Sequence, residues 1–322
     1  MMETPAGRLI PDYWNVADGF AAYMDEYTRA LRPVPTAVPA LDELLHGGFR
    51  PGIHFIGGNT GAGKTAFCLW LMERMASLTD PETGRRYGCT YISLELAGWE
   101  VRARLGSRLS KHMDELDEFA WADFEDLGAK TRAEVAAGTY EPEHDPVYIA
   151  DLNLMALCPN IRIVDGVRSS SANSLAVIES EVEATGAHGG RVCFVDYLQC
   201  IDAGRDFDEQ EAMRESVRSL NLAGMRAGVA VICIAAVNRA KGSEMASSGK
   251  DKNPGADIFR GSSWIEYTGL SAFALVRRRD ARRTGGYVEV ELWPVKNRRG
   301  ESSGPIEMAY DGAHGDFVIE GC

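Results

Sequence analysis

The sequence predicts an α/β fold built on a mostly parallel central sheet with helices on both faces. Short apolar runs alternate with helical stretches, and the runs are almost uninterruptedly apolar, as strands covered on both faces must be. One run leads through a glycine-rich turn into a helix, the order a strand–loop–helix phosphate site requires.

That turn is Gly58-Asn59-Thr60-Gly61-Ala62-Gly63-Lys64-Thr65, which satisfies every fixed position of G-x-x-x-x-G-K-[ST]. It follows Ile53-His54-Phe55-Ile56 and precedes the helical Ala66-Phe67-Cys68-Leu69-Trp70-Leu71. Glycines without Cβ let successive N–H groups turn inward on phosphate oxygens, and the helix start adds its positive dipole end. Gly58, Asn59, Thr60, Gly61, Ala62, Gly63, Lys64, Thr65 and Ala66 therefore form the expected nucleoside-triphosphate site. Lys64 is placed to bridge the β- and γ-phosphates and Thr65 to offer its hydroxyl to Mg²⁺.

Before the turn, residues 12–32 carry Trp14, Phe20, Tyr23, Met24, Tyr27 and Leu31 at helical spacing and end in Arg32-Pro33-Val34-Pro35. An amphipathic helix and a proline-stiffened linker over residues 1–37 are expected, with the ATPase domain over 38–322. A short helix ended by Gly47-Gly48 then feeds the first strand. Further strands are expected at 89–94, 161–164, 192–195 and 229–234, with helices between them. Those at 269–276, 287–295 and 306–310 have fewer helices between them and suggest a partly antiparallel extension. Residues 109–159 read as a mostly helical acidic insertion, since between 114 and 145 Asp114, Glu115, Asp117, Glu118, Asp123, Glu125 and Asp126 face only Lys130 and Arg132.

Composition narrows the function. The 322 residues are 45% hydrophobic and 25% charged, the balance of an ordinary globular protein. A net charge of −13 excludes coating nucleic acid with the whole surface but leaves room for a local basic channel. No apolar stretch approaches the length of a membrane span and the N-terminus lacks a secretion signal, so a cytoplasmic protein is expected. The seven cysteines form no C-x-x-C pair and the six histidines are scattered, so neither a disulfide framework nor a zinc site is indicated.

Two carboxylates complete a hydrolytic set. Asp196 ends Val192-Cys193-Phe194-Val195, at the strand edge where open α/β sheets hold ligands, and suits the metal side of a nucleotide. Glu95 ends another strand in Ser93-Leu94-Glu95-Leu96 and, if that strand lies beside the P-loop strand, can polarise an attacking water.

Together with Val195-Asp196-Tyr197-Leu198-Gln199, the run 257–266 and Lys296-Asn297-Arg298-Arg299-Gly300, these residues resemble the RecA-like motor domain of DnaB-type replicative hexameric helicases. The resemblance covers residues 38–317 and implies a chain reduced to its motor, without the family's primase-contacting domain. It implies a self-assembled ring of six subunits, with ATP and Mg²⁺ at each interface, that moves on single-stranded DNA in the 5′–3′ sense, with a loader or other replication protein as a further partner. By resemblance, Lys64 and Thr65 cradle phosphate and Mg²⁺, Glu95 is the catalytic base, and Asp196 is the metal-side carboxylate. Arg298 resembles an arginine finger reaching the neighbour's site, with Lys296 beside it. The helix over residues 14–31 resembles the linker that packs on the adjacent motor.

Two departures stand out. Ala236 occupies the position of the family's γ-phosphate-sensing glutamine, and Arg260-Gly261-Ser262-Ser263 replaces Arg-Glu-Ser-Gly. For DNA, a polar loop over 239–261 carrying Arg239, Lys241, Lys250, Lys252 and Arg260 is expected to contact phosphates on the ring axis. A RecA-like ATPase that assembles on DNA or a protein as a switch, without unwinding, is the alternative that Ala236 and the acidic segment favour. A P-loop kinase is weaker, because no lid is evident and Lys296 and Arg298 would stand idle.

Overall fold

The computed structural model describes residues 20, 21, 23, 24, 27, 32–113, 117–168, 171–204, 207–247, 253–259, 262–278, 281–298, 300 and 304–319. Helix α1 (Pro39–Leu44) leads through His46, Gly47 and Gly48, all at positive φ, into β1 (Gly52–Gly58). The P-loop connects β1 to α2 (Lys64–Ser77), followed by β2 (Gly88–Ser93) and α3 (Gly98–Ser110). The acidic segment holds α4 (Phe124–Ala137) and α5 (Pro146–Leu157), the latter started by Pro146 and by the Asp145 carboxylate, which accepts from the N–H groups of Val147 and Tyr148. Then come β3 (Ile161–Asp165), α6 (Leu175–Ala187), β4 (Gly190–Asp196), α7 (Glu209–Ala227) and β5 (Ala230–Ile234). The chain closes with α8 (Arg239–Ser247), α9 (Ser262–Thr268), β6 (Ser271–Val276), β7 (Arg283–Thr284), β8 (Tyr287–Asn297), β9 (Ile306–Asp311) and β10 (Asp316–Ile319).

The strands form one sheet in the order β10-β9-β8-β6-β1-β5-β4-β2-β3, with β7 pairing β8. From β6 to β3 every pairing is parallel, and β8, β9 and β10 add the antiparallel extension. Alternation of side chains divides the core. Ile56, Tyr91, Phe194, Ile232 and Phe273 face α1, α2 and α3, while Phe55, Ile92, Val195 and Cys233 face α6 and α7. The predicted α/β architecture is the one found.

Two expectations are corrected. The strand bearing Glu95 does not lie beside the P-loop strand, because β5 and β4 stand between β1 and β2. Parallel strands need crossover connections, so later strands can fill the gap between sequence neighbours. Residues 239–261 do not run as a loop throughout, since they open with α8. Asn238 starts that helix, its Oδ1 accepting from the Ala240 N–H at 3.0 Å and its carbonyl from the Gly242 N–H at 2.7 Å.

Of the expected N-terminal helix, only positions 20, 21, 23, 24 and 27 are among the described residues. They are helical, with Phe20, Tyr23 and Tyr27 exposed and the two tyrosine rings stacked at 5.7 Å. Trp14 and Leu31 lie outside the described residues.

Candidate active site

A cleft of about 400 Å³ opens at the C-terminal ends of β1, β4 and β5, between the P-loop, Glu95 and Tyr310. The P-loop turns where glycine is required. Gly61 and Gly63 hold φ of 77° and 91°, and a side chain on Gly63 would come within 2.8 Å of the Tyr310 ring. A side chain on Gly58 would lie 2.3 Å from the Leu275 carbonyl oxygen, so the loop leaves the sheet only because this residue has none.

Lys64 folds its ammonium over the loop and donates to the Gly58 carbonyl at 3.2 Å. Burial pushes its pKa down, while the charges of Asp196 and Glu95 pull it back up. At the floor, the Asp196 carboxylate accepts from the Thr65 hydroxyl at 2.8 Å and from the Tyr91 hydroxyl at 2.7 Å on the same oxygen. Burial raises the Asp196 pKa against those two hydrogen bonds and the Lys64 charge. A divalent cation here would favour the ionised form, and Thr65 and Asp196 are the hard oxygen donors Mg²⁺ takes. The residues present therefore fit that ion.

Glu95 stands exposed at the rim, on a turn pinned by the Ser93 hydroxyl, which donates to the Leu96 carbonyl at 2.6 Å and accepts from the Leu96 N–H at 3.2 Å. It faces the P-loop across the cleft although its strand is not adjacent to β1. Ala236 also lines the cleft, and its N–H donates to Gln199 Oε1 at 3.0 Å. Asn59 and Ala62 belong to the loop but do not line the cleft, and Asn59 turns its amide toward the Arg277 backbone.

Besides Tyr91 at the floor, three residues at the site were not singled out from the sequence. Arg104 of α3 and Tyr310 of β9 line the cleft, and Arg277, just beyond β6, donates to the Gly61 carbonyl at 3.3 Å. The signal for Arg277 was a charged residue ending an apolar strand; Arg104 and Tyr310 gave none, since only the folded sheet brings them to the loop.

Lys296 and Arg298 are not brought to this cleft. Lys296 is paired with Ala272 near the start of β6, whereas Leu275 of β6 lies level with Gly58. Three residues of strand, about 10 Å, and the width of β6 separate them from the P-loop. There Lys296 donates to the Ile265 carbonyl at 3.2 Å and Arg298 to the Tyr267 carbonyl. Of the expected DNA contacts, Arg239 opens α8, and Lys241 is ion-paired to Asp257 and donates to its carbonyl at 3.1 Å. Lys250, Lys252 and Arg260 lie outside the described residues. Phe259, in the same segment, is buried. Among the described residues no helix is long and apolar enough to cross a membrane, and no group of three His, Cys, Asp or Glu side chains is arranged to hold a metal.

Comparison with solved structures finds a chain described as an ATPase domain at 20% identity and a TM-score of 0.70, covering 96% of this chain and 99% of that one. A DnaB-like replicative helicase described with its primase interactions matches at 20% identity and a TM-score of 0.68, covering 94% and 68%. A KaiC-like protein from Pyrococcus horikoshii shares the fold more loosely, at 18% identity and a TM-score of 0.50 over 89% and 98%. No curated protein sequence matches the chain. The family model of the DnaB-like helicase C-terminal domain matches residues 33–318, and the chain belongs to that family.

Proposed function

We propose that the chain is the ATP-hydrolysing motor of a ring-shaped helicase that moves on single-stranded DNA, with each active site completed by a neighbouring copy. One observation carries this reading: the cleft holds Lys64, Thr65, Asp196 and Glu95, while Lys296 and Arg298 sit at the opposite edge of the same sheet. A head-to-tail ring is the assembly that lets one face complete another. A hexamer, as the family resemblance implies, is the ring we propose.

The residues divide the work. The P-loop N–H groups and Lys64 bind the triphosphate, with Arg277 and Tyr310 framing it. Thr65 and Asp196 would hold Mg²⁺, which when bound neutralises phosphate charge. Glu95 takes a proton from the attacking water as its oxygen bonds the γ-phosphorus and the bond to the β–γ bridging oxygen breaks, releasing ADP. Arg298, with Lys296, stabilises the transition-state charge from the neighbouring subunit. Arg239, Lys241, Lys250, Lys252 and Arg260 contact the DNA backbone, and a loader or primase-like replication protein is the proposed partner.

Displacement of the labelled strand from a forked DNA duplex, with ATP and Mg²⁺, tests this. ATP-dependent displacement that Glu95→Gln abolishes is expected. DNA-stimulated hydrolysis without displacement would move the reading to the ATP switch that Ala236 favours.

A further inference from the structure

The family's glutamine is absent at Ala236, yet α8 rests directly on the P-loop. Asn59 grips the backbone of Arg277 twice, donating to its carbonyl at 2.9 Å and accepting from its N–H at 3.0 Å. The next residue, Arg278, is buried and spans two elements. Its Nε and Nη2 donate to Glu291 Oε2 of β8 at 3.1 and 2.7 Å, and its Nη1 donates to the Met245 carbonyl of α8 at 2.6 Å. Glu291 is held in turn by the Trp293 indole N–H at 2.6 Å. About one turn before Met245 in α8, a Cβ on Gly242 would stand 3.8 Å from Asn59 Cβ and 3.1 Å from Val237. Phosphate loop, the residues just after β6, β8 and the helix that opens the proposed DNA segment thus share one polar connection, buried at Arg278.

We propose that Asn59 and Arg278 are positioning residues that carry the nucleotide state of the P-loop to α8, in the place of the missing glutamine side chain. The proposal rests on the nucleotide-site reading above. Asn59 belongs to the loop that closes on phosphate but aims its side chain at Arg277. Movement of that loop is transmitted to Arg277, and the guanidinium of Arg278, hydrogen-bonded to both Glu291 and the Met245 carbonyl, passes it on, because a charge-assisted fork holds its partners in a fixed geometry. The same clamp reaches β8, the strand that leads to Lys296 and Arg298.

Hydrogen–deuterium exchange of the full chain, with and without ATPγS and Mg²⁺, tests it. The nucleotide is expected to slow exchange both in the P-loop and in α8. Arg278→Lys, which lacks the planar fork that reaches Glu291 and the Met245 carbonyl together, is expected to keep the P-loop response and lose most of the α8 response. Gly242→Ala avoids the buried charges. It adds a better helix former, so a purely structural effect would slow α8 exchange in both states; the proposal expects instead a smaller difference between the two states. An α8 that ignores nucleotide while the P-loop responds, or variants with the full wild-type response, would overturn the inference alone. A P-loop that does not respond would overturn the nucleotide-site reading as well.

Discussion

At the floor of the cleft one oxygen of Asp196 accepts from two hydroxyls while burial raises the pKa of the whole carboxyl group. A carboxylate with its native pKa above its unfolded value binds protons more tightly when folded, so it costs stability as pH rises through that window. Asp196→Asn is therefore expected to raise the melting temperature of the nucleotide-free protein at pH 7, while hydrolysis is lost. The gap should narrow as the pH falls toward the ordinary carboxylate range, and thermal melts at two pH values check it. Glu95→Gln is expected to lower hydrolysis by about 100-fold or more, the usual worth of a positioned general base, with nucleotide affinity retained in an equilibrium titration. That Lys64, Thr65 and Asp196 would stand at one cleft was legible in the sequence, because each sits at the end of a strand or in the loop that follows one; Glu95 reaches the same cleft, but from a strand two places further along the sheet than the expectation required. Arg104, Arg277 and Tyr310 were not legible, because they reach the loop from elements far apart in the chain.

Strand β1 and helix α2 meet at glycines whose missing side chains are filled by other elements. Gly63 holds positive φ beneath the Tyr310 ring, which itself stacks on Phe317 at 4.5 Å. Gly63→Ala combines left-handed strain with overpacking, each worth about 1–3 kcal/mol. A melting temperature several degrees lower and weaker nucleotide binding are expected, read by calorimetry and titration. Tyr310→Phe keeps the packed ring and is expected to leave stability nearly unchanged, whereas Tyr310→Ala removes a partly buried ring that stacks on Phe317 and is expected to lower the melting temperature. The strands of the sheet were largely legible from their apolar runs; β7, two residues long, and β10, four, were too short to show a pattern. The separation of β1 from β2 was not legible, since crossover order is decided by which strands pack best and not by local sequence. Helix α8 hid behind Gly242 and a polar composition, and its one signal was Asn238 as a cap.

Across the whole molecule the sheet divides the proposed reaction between two edges. The C-terminal edge carries the phosphate loop and both carboxylates, and the end of β8 at the other edge carries Lys296 and Arg298. On the proposed reading, hydrolysis is expected only where two copies meet. Activity should therefore fall on dilution below the assembly concentration, which hydrolysis measured against protein concentration would show. The most direct measurement co-expresses Lys64→Ala and Arg298→Ala chains and compares their ATP hydrolysis with that of each variant alone. Each alone is expected to be inactive. In the mixture about a quarter of head-to-tail interfaces join an intact P-loop to an intact arginine, so a corresponding share of activity should return. A mixture no more active than the two variants separately would contradict a site shared between copies.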